Sequence, residues 1–291
     1  MSIVTNASTG SVTGADAAAS APRVTDIPVT TTQLRQALPL VTVRDLRVSY
    51  EKSAKPVLDG VDLDLFPGET VALLGASGSG KSTLMKSLTG FAPISGGSVR
   101  VAGHDVTNLA RGELRTLRSE VGQVFQQFNL IPRLSVLTNV LTGGLHGAGA
   151  INLAGGFSRE QRTRALELLD RVGIAHKATE PARSLSGGQQ QRVAIARALM
   201  QQPRVILADE PVASLDPKLA GSVLRLLREI ASEDGIPVLV SLHVLPLALE
   251  HSDRIVGLRH GEMLVSGATA DLDADALSVL YDEEDDDDDD R

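Results

Sequence analysis

The chain has 291 residues, 42% of them hydrophobic but only 2% aromatic, and no cysteine. Disulfides, thiolate zinc sites and a cysteine nucleophile are therefore excluded, and the core has to be built from Val, Leu, Ile and Ala, a composition that suits strands buried on both faces beneath helices. The formal charge of −8 resides in the tail, where Asp282 to Asp290 are nine consecutive acids followed by Arg291, so the body of the chain is neutral and carries no bulk charge bias toward nucleic acid.

Residues 1–38 are rich in Ser, Thr and Ala without a sustained period, and read as a disordered N-terminal extension. They show neither the basic start nor the apolar run of a signal peptide, and no later segment approaches the roughly 18 uninterrupted apolar residues of a membrane span. The expectation is a cytoplasmic protein for which any spanning is done by another chain. Residues 282–291 repel one another and read as a disordered acidic tail, leaving 39–281 as one domain.

Within it, "VTVRDLRVSY" and "VDLDLF" alternate apolar and polar residues as half-buried antiparallel strands do. "TVALLG" is apolar throughout, a buried strand that runs into a glycine-rich loop and the helix "GKSTLMKSLTG". Further on, "SREQRTRALELLDRVG" places Ala165, Leu168, Leu169 and Val172 on one helical face, with Ser158 as N-cap and Gly173 as the stop. "RVILADE", "PKLAGSVLRLLREIASEDG" and "PVLVSLH" follow as strand, amphipathic helix and strand, one crossover unit. "DRIVGLRHGEMLVSG" reads as a hairpin turning at His260-Gly261.

Gly75 to Ser82, "GASGSGKS", fits G-x-x-x-x-G-K-S/T without a mismatch. In such a loop Gly75, Gly78 and Gly80 let the backbone N–H groups, including those of Ala76, Ser77 and Ser79, approach a triphosphate. Lys81 neutralises the β- and γ-phosphates, and Ser82, followed by Thr83, offers a hydroxyl to Mg²⁺. The apolar strand ending in Asp209 and Glu210 supplies the complement: one carboxylate for the metal's ligand shell and one to orient an attacking water.

With these motifs in order, and with "LSGGQ" at Leu185 to Gln189 just upstream of "VILADE", the chain resembles the ATP-binding-cassette ATPases over about Val41 to Gly267. The resemblance implies an α/β P-loop NTPase fold. Its core sheet is mostly parallel, and it carries an antiparallel β subdomain and an α-helical signature subdomain at about residues 125–200. It also implies ATP and Mg²⁺ as cofactors and a head-to-tail dimer. In that dimer Ser186, Gly187, Gly188 and Gln189 of one copy face the nucleotide held by the other.

Residue by residue, it places Tyr50 against adenine, where a plain strand tyrosine is the alternative. Gln126 falls at the glutamine loop near Mg²⁺, with Gln127 as the adjacent choice. Asp216 lies in the loop that crosses the dimer interface, or simply starts a helix. His243 is the switch histidine at the γ-phosphate, followed by Val244 where many relatives have Asp. The resulting assignment makes Glu210, His243 and Gln126 catalytic, and Ser82, Gln126 and Asp209 metal-binding.

The texture of "LADEPVASLDP", "SLHVLPLA", "FNLIPRLSVLTNVL" and the glycine-rich insert Gly143 to Gly156 is similar to that of the ATPases of phosphonate importers. The resemblance implies coupling of hydrolysis to uptake of phosphonate or a related phosphorus oxyanion at the cytoplasmic face of a membrane. Two permease subunits and, indirectly, an extracytoplasmic binding protein would be partners, with no nucleic acid. An importer of another solute, such as methionine, is the same-class alternative. A soluble cassette ATPase outside transport is disfavoured by the absence of a long heptad segment and of a second cassette.

Overall fold

The computed structural model describes residues 38–50, 55–147 and 156–281. The N-terminal extension up to residue 37, the acidic tail and most of the glycine-rich insert lie outside the described residues.

An antiparallel sheet comes first among the described residues. β1 (Val41–Val48) pairs with β2 (Leu58–Leu65) and with β4 (Ile94–Val101), which carries the short β5 (His104–Asp105), in the order β2-β1-β4-β5. The alternation in β1 changes phase midway, Val41 and Val43 being buried and then Leu46 and Val48. A bulge at Arg44–Asp45, with Asp45 at φ 47, absorbs the extra residue and keeps both apolar pairs on the core side.

The second sheet has the order β10-β9-β3-β8-β7-β6. β3 (Thr70–Leu74), β6 (Val121–Phe125), β7 (Val205–Asp209), β8 (Val238–Ser241) and β9 (Arg254–Arg259) are parallel, and β10 (Glu262–Ala268) returns antiparallel to β9. The β9–β10 turn has both residues left-handed, His260 at φ 50 and Gly261 at φ 84, the geometry of a tight hairpin.

Alternate residues of the parallel strands enter two cores. Val71, Leu73, Val205, Leu207, Leu239, Val256 and Leu258 face the antiparallel sheet together with α1 (Lys81–Leu88) and α2 (Arg111–Glu120). Ala72, Leu74, Ile206, Ala208, Val238, Val240 and Ile255 face the other side. There they meet α3 (Val136–Thr142), α4 (Arg159–Arg171), α5 (Gly187–Met200), α6 (Pro217–Asp234) and α7 (Leu245–His251). Strands covered on both faces are the reason the sequence reads as unbroken aliphatic runs, each fully buried aliphatic side chain contributing roughly 1.5–3 kcal/mol.

The helix ends follow local chemistry. Ser158 Oγ accepts from Gln161 N at 3.1 Å while Gln161 Oε1 accepts from Ser158 N at 2.9 Å, and Gly173 at φ 78 ends α4. Asp216 caps α6 by accepting from Leu219 N at 3.1 Å, Pro217 fills the first turn, and Gly235 at φ 66 stops the helix. At the C-terminal end, α8 (Ala274–Ser278) leads Leu277, Leu280 and Tyr281 onto the helix-covered core.

Candidate nucleotide site

The site lies where the parallel strands end. Pairing sets Leu73 of β3 beside Ser241 of β8, Ala208 of β7 beside Val240, and Phe125 of β6 beside Asp209. One or two residues further along the chain, Gly75, Gln126, Glu210 and His243 therefore emerge from the carboxyl edge of one sheet, the usual place for ligands in open α/β sheets.

The glycine-rich loop is shaped by close approaches. A Cβ at Gly75 (φ 144) would lie 2.2 Å from Leu258 O, and one at Gly80 (φ 108) would lie 2.6 Å from Leu58 Cδ2, so both positions demand glycine. Lys81 is buried, and its Nζ donates to Gly75 O at 2.7 Å and to Ala76 O at 2.9 Å, closing the loop on itself. Burial pushes its pKa down, opposed by the Glu210 and Asp209 carboxylates. Ala76, Ser77 and Gly78 are exposed at the rim, whereas the Ser79 hydroxyl is buried and unpartnered.

The acids meet the loop from β7. Ser82 Oγ lies 3.5 Å from Asp209 Oδ1, the next residue Thr83 is half-buried, and His243 Nε2 lies 2.6 Å from Glu210 Oε1. Glu210 sits at φ 48, a left-handed conformation that costs a residue other than glycine roughly 1–2 kcal/mol. Gln126 is exposed in the turn after β6.

Other sequence-derived candidates sit further out. Tyr50 is 40% exposed at the end of β1, where Val48 pairs with Leu58, the residue whose side chain abuts Gly80. Ser186 caps α5: its Oγ accepts from Gln189 N at 3.4 Å and Gln189 Oε1 accepts from Ser186 N at 3.0 Å. A Cβ at Gly187 would stand 3.2 Å from Leu215, and one at Gly188 would stand 3.2 Å from Leu219, so the paired glycines also let the segment around Asp216 pack against the helix. Among the described residues no hydrogen bond joins Ser186–Gln189 to Gly75–Ser82 of the same chain.

Some contacts at the site were not read from the sequence. Ser241 donates to Asp209 Oδ1 at 2.8 Å and accepts from Glu210 N at 2.8 Å. Arg197 on α5 donates to the carbonyls of Phe128, at 2.8 Å, and Asn129, two consecutive left-handed residues just past Gln126. The Tyr281 hydroxyl is buried near the backbone of Gly75. Burial raises its pKa, and that backbone works against the rise.

The family profile described as "ABC transporter" matches residues 58–213, more than half of the chain. The chain belongs to that family. Among curated relatives of this ABC family member, it is 46% identical over 235 residues to the "Phosphonates import ATP-binding protein PhnC" of Rhizobium meliloti, covering 80% of this chain and 84% of the relative. It is 51% identical over 226 residues to the protein of the same name in Frankia casuarinae, covering 77% and 89%. Among solved structures it resembles the ATP-binding cassette MJ0796 in a dimeric post-hydrolysis state with ADP and Pi (TM-score 0.68, 36% identity, 79% of this chain and 98% of that one). It also resembles a nucleotide-free ATP-binding cassette from an ABC transporter (TM-score 0.72, 27% identity, 85% and 100%). The architecture expected of the family is the one seen: a mostly parallel sheet, an antiparallel sheet across one face and helices across the other.

Proposed function

We propose that this ABC family member is the ATP-hydrolysing subunit of a phosphonate importer, acting as a head-to-tail dimer against the cytoplasmic face of a membrane. The observation that carries the hydrolytic reading is the cluster at the strand ends: a buried Lys81 inside a glycine loop, Ser82 within 3.5 Å of Asp209, and Glu210 gripped by His243 at 2.6 Å. The substrate class is supported by the names of the relatives, since the ATPase does not touch the cargo.

In this reading the loop N–H groups and Lys81 hold the triphosphate, and Tyr50 stacks on adenine. Ser82 and Asp209 suit a Mg²⁺ ion, a hydroxyl and a carboxylate being hard oxygen donors. Among the described residues no cluster of three or more His, Cys, Asp or Glu forms a closed cage, so water and phosphate oxygens would complete the shell. When bound, the ion neutralises charge on the β- and γ-phosphates.

Glu210 accepts a hydrogen bond from the attacking water and orients it in line with the γ-phosphorus. The water oxygen bonds to phosphorus, the bond to the β–γ bridging oxygen breaks, and ADP and phosphate leave. His243 fixes the Glu210 carboxylate and Gln126 borders the metal position. Ser186, Gly187, Gly188 and Gln189 of a second copy, together with Asp216 near the interface, complete the wall around the γ-phosphate with helix N-terminal amides.

Among the described residues no helix is long and apolar enough to cross a membrane, which fits a peripheral subunit working with two permease chains and, through them, an extracytoplasmic binding protein. Phosphate release from ATP by the purified chain, followed by co-purification of permease subunits and a solute-uptake screen, tests the proposal. A chain that binds ATP yet supports uptake of methionine and not of a phosphonate would refute the substrate assignment.

A further inference from the structure

Ser241 ends β8 with its side chain fully buried, on a strand whose other positions are Val238, Leu239 and Val240. A hydroxyl in such a run needs partners, and this one has two. It donates to Asp209 Oδ1 at 2.8 Å and accepts from the Glu210 amide at 2.8 Å, using its single proton and one lone pair. The accepting bond holds the peptide at which Glu210 turns left-handed, a conformation that side chains other than glycine adopt at a cost. Two residues later, still from the end of β8, His243 meets the Glu210 carboxylate at 2.6 Å. One strand end thus grips Glu210 twice, at its amide and at its carboxylate, and steadies Asp209 with the same hydroxyl.

We infer that Ser241 is a positioning residue for hydrolysis, fixing the backbone turn at Glu210 and the orientation of the Asp209 carboxylate. The inference rests on the roles proposed above for those two acids. Without the hydroxyl, the Glu210 N–H loses its acceptor, the left-handed turn loses its brace, and Asp209 Oδ1 loses a donor. Lys81 and the loop that holds the triphosphate keep all their hydrogen bonds, so nucleotide affinity is not the property at risk.

The test uses the full-length chain and three substitutions. Ser241→Ala removes the hydroxyl, while Ser241→Thr and Ser241→Val add the same bulk with and without it. Ser241→Ala and Ser241→Val should lower kcat for ATP about ten- to hundredfold with KM within about twofold, the pattern of a contact that matters in the transition state. Ser241→Thr should restore kcat to within about threefold of wild type, since it differs from valine by the hydroxyl alone. Mn²⁺ bound with a non-hydrolysable ATP analogue should keep its affinity within about twofold in the alanine and valine variants while its electron paramagnetic resonance line shape changes, because the Asp209 carboxylate is no longer held in one orientation. Wild-type kcat in those two variants, or equal impairment of the threonine and valine variants, would overturn the inference. A wild-type chain that binds ATP and releases no phosphate would instead refute the hydrolytic reading beneath it.

Discussion

Arg197 holds the segment after Gln126 to the signature helix, and replacing it by methionine tests how much that clasp is worth. Its guanidinium donates to the carbonyls of Phe128 and Asn129, at φ 47 and φ 50, and burial lowers its pKa. Hydrogen bonds from a charged donor are worth about 1.5–3 kcal/mol each, a gross loss of about 3–6 kcal/mol. Part of this is returned because methionine no longer keeps an ion out of water, a cost of several kcal/mol. The net expectation is a destabilisation of about 1–3 kcal/mol, since the methionine stem preserves most of the packing and leaves no large cavity.

With a urea slope of about 2–3 kcal/mol per molar, the unfolding midpoint should fall by about 0.3–1.5 M. Residues 126–131 should also exchange amide hydrogens faster, because the two left-handed residues are free to relax and Phe128, whose ring tip would stand 3.8 Å from a Cβ at Gly187, is released from the helix start. An unchanged midpoint together with unchanged exchange in that segment would show that the clasp is not a working contact.

Glu210→Gln should abolish steady hydrolysis while ATP still binds, and should lengthen the lifetime of the closed dimer; phosphate release and size-exclusion chromatography with ATP check both, and turnover near wild type would contradict the role given to Glu210. If the permease contact proposed for this subunit falls on the exposed residues 131–133, which follow the turn at Gln126, Arg133→Glu should reduce permease co-purification and uptake while leaving nucleotide affinity within about twofold. His251 is buried; burial lowers its pKa below 6.5, as do Arg225 and Arg228, while Glu250 works the other way. Its neutral form is therefore the one folding favours, and the stability it contributes is present above about pH 6.5 and lost as pH falls through the lower folded-state value. Unfolding midpoints between pH 7.5 and 5.5 should decline, by at most about 1.4 kcal/mol per pH unit from this group, and His251→Gln should flatten that slope.

Much of the site was legible because its parts are local in sequence. A phosphate loop needs glycines, a lysine and a hydroxyl at fixed offsets, and "GASGSGKS" keeps them all. The aliphatic runs of β3, β7 and β8 announced strands covered on both faces, and parallel pairing then brought Gly75, Glu210 and His243 to one edge. What could not be read depends on partners far along the chain. Ser241 sits in an apolar run as an unremarkable serine until Asp209 and Glu210, 32 and 31 residues earlier, are placed beside it.

Arg197 likewise looks like one more polar residue of α5 until the carbonyls 69 and 68 residues upstream are found beneath it. The bulge in β1 breaks simple alternation: the apolar residues move from odd to even positions across Arg44–Asp45, and that both pairs still share one face is seen only once β2 and β4 lie on either side.

The cap on α5 has a consequence for how two subunits meet. In the single chain the Ser186 hydroxyl is already engaged with the amide of Gln189, closing off its own helix. That hydroxyl accepts through one lone pair and keeps its own proton, so it can donate to a phosphate from a second molecule without giving up the cap, a contact worth about 1 kcal/mol. In the proposed dimer the cap therefore also aims a donor: the bond from Gln189 holds the Ser186 oxygen in place and leaves its proton for whichever oxygen the neighbouring copy presents.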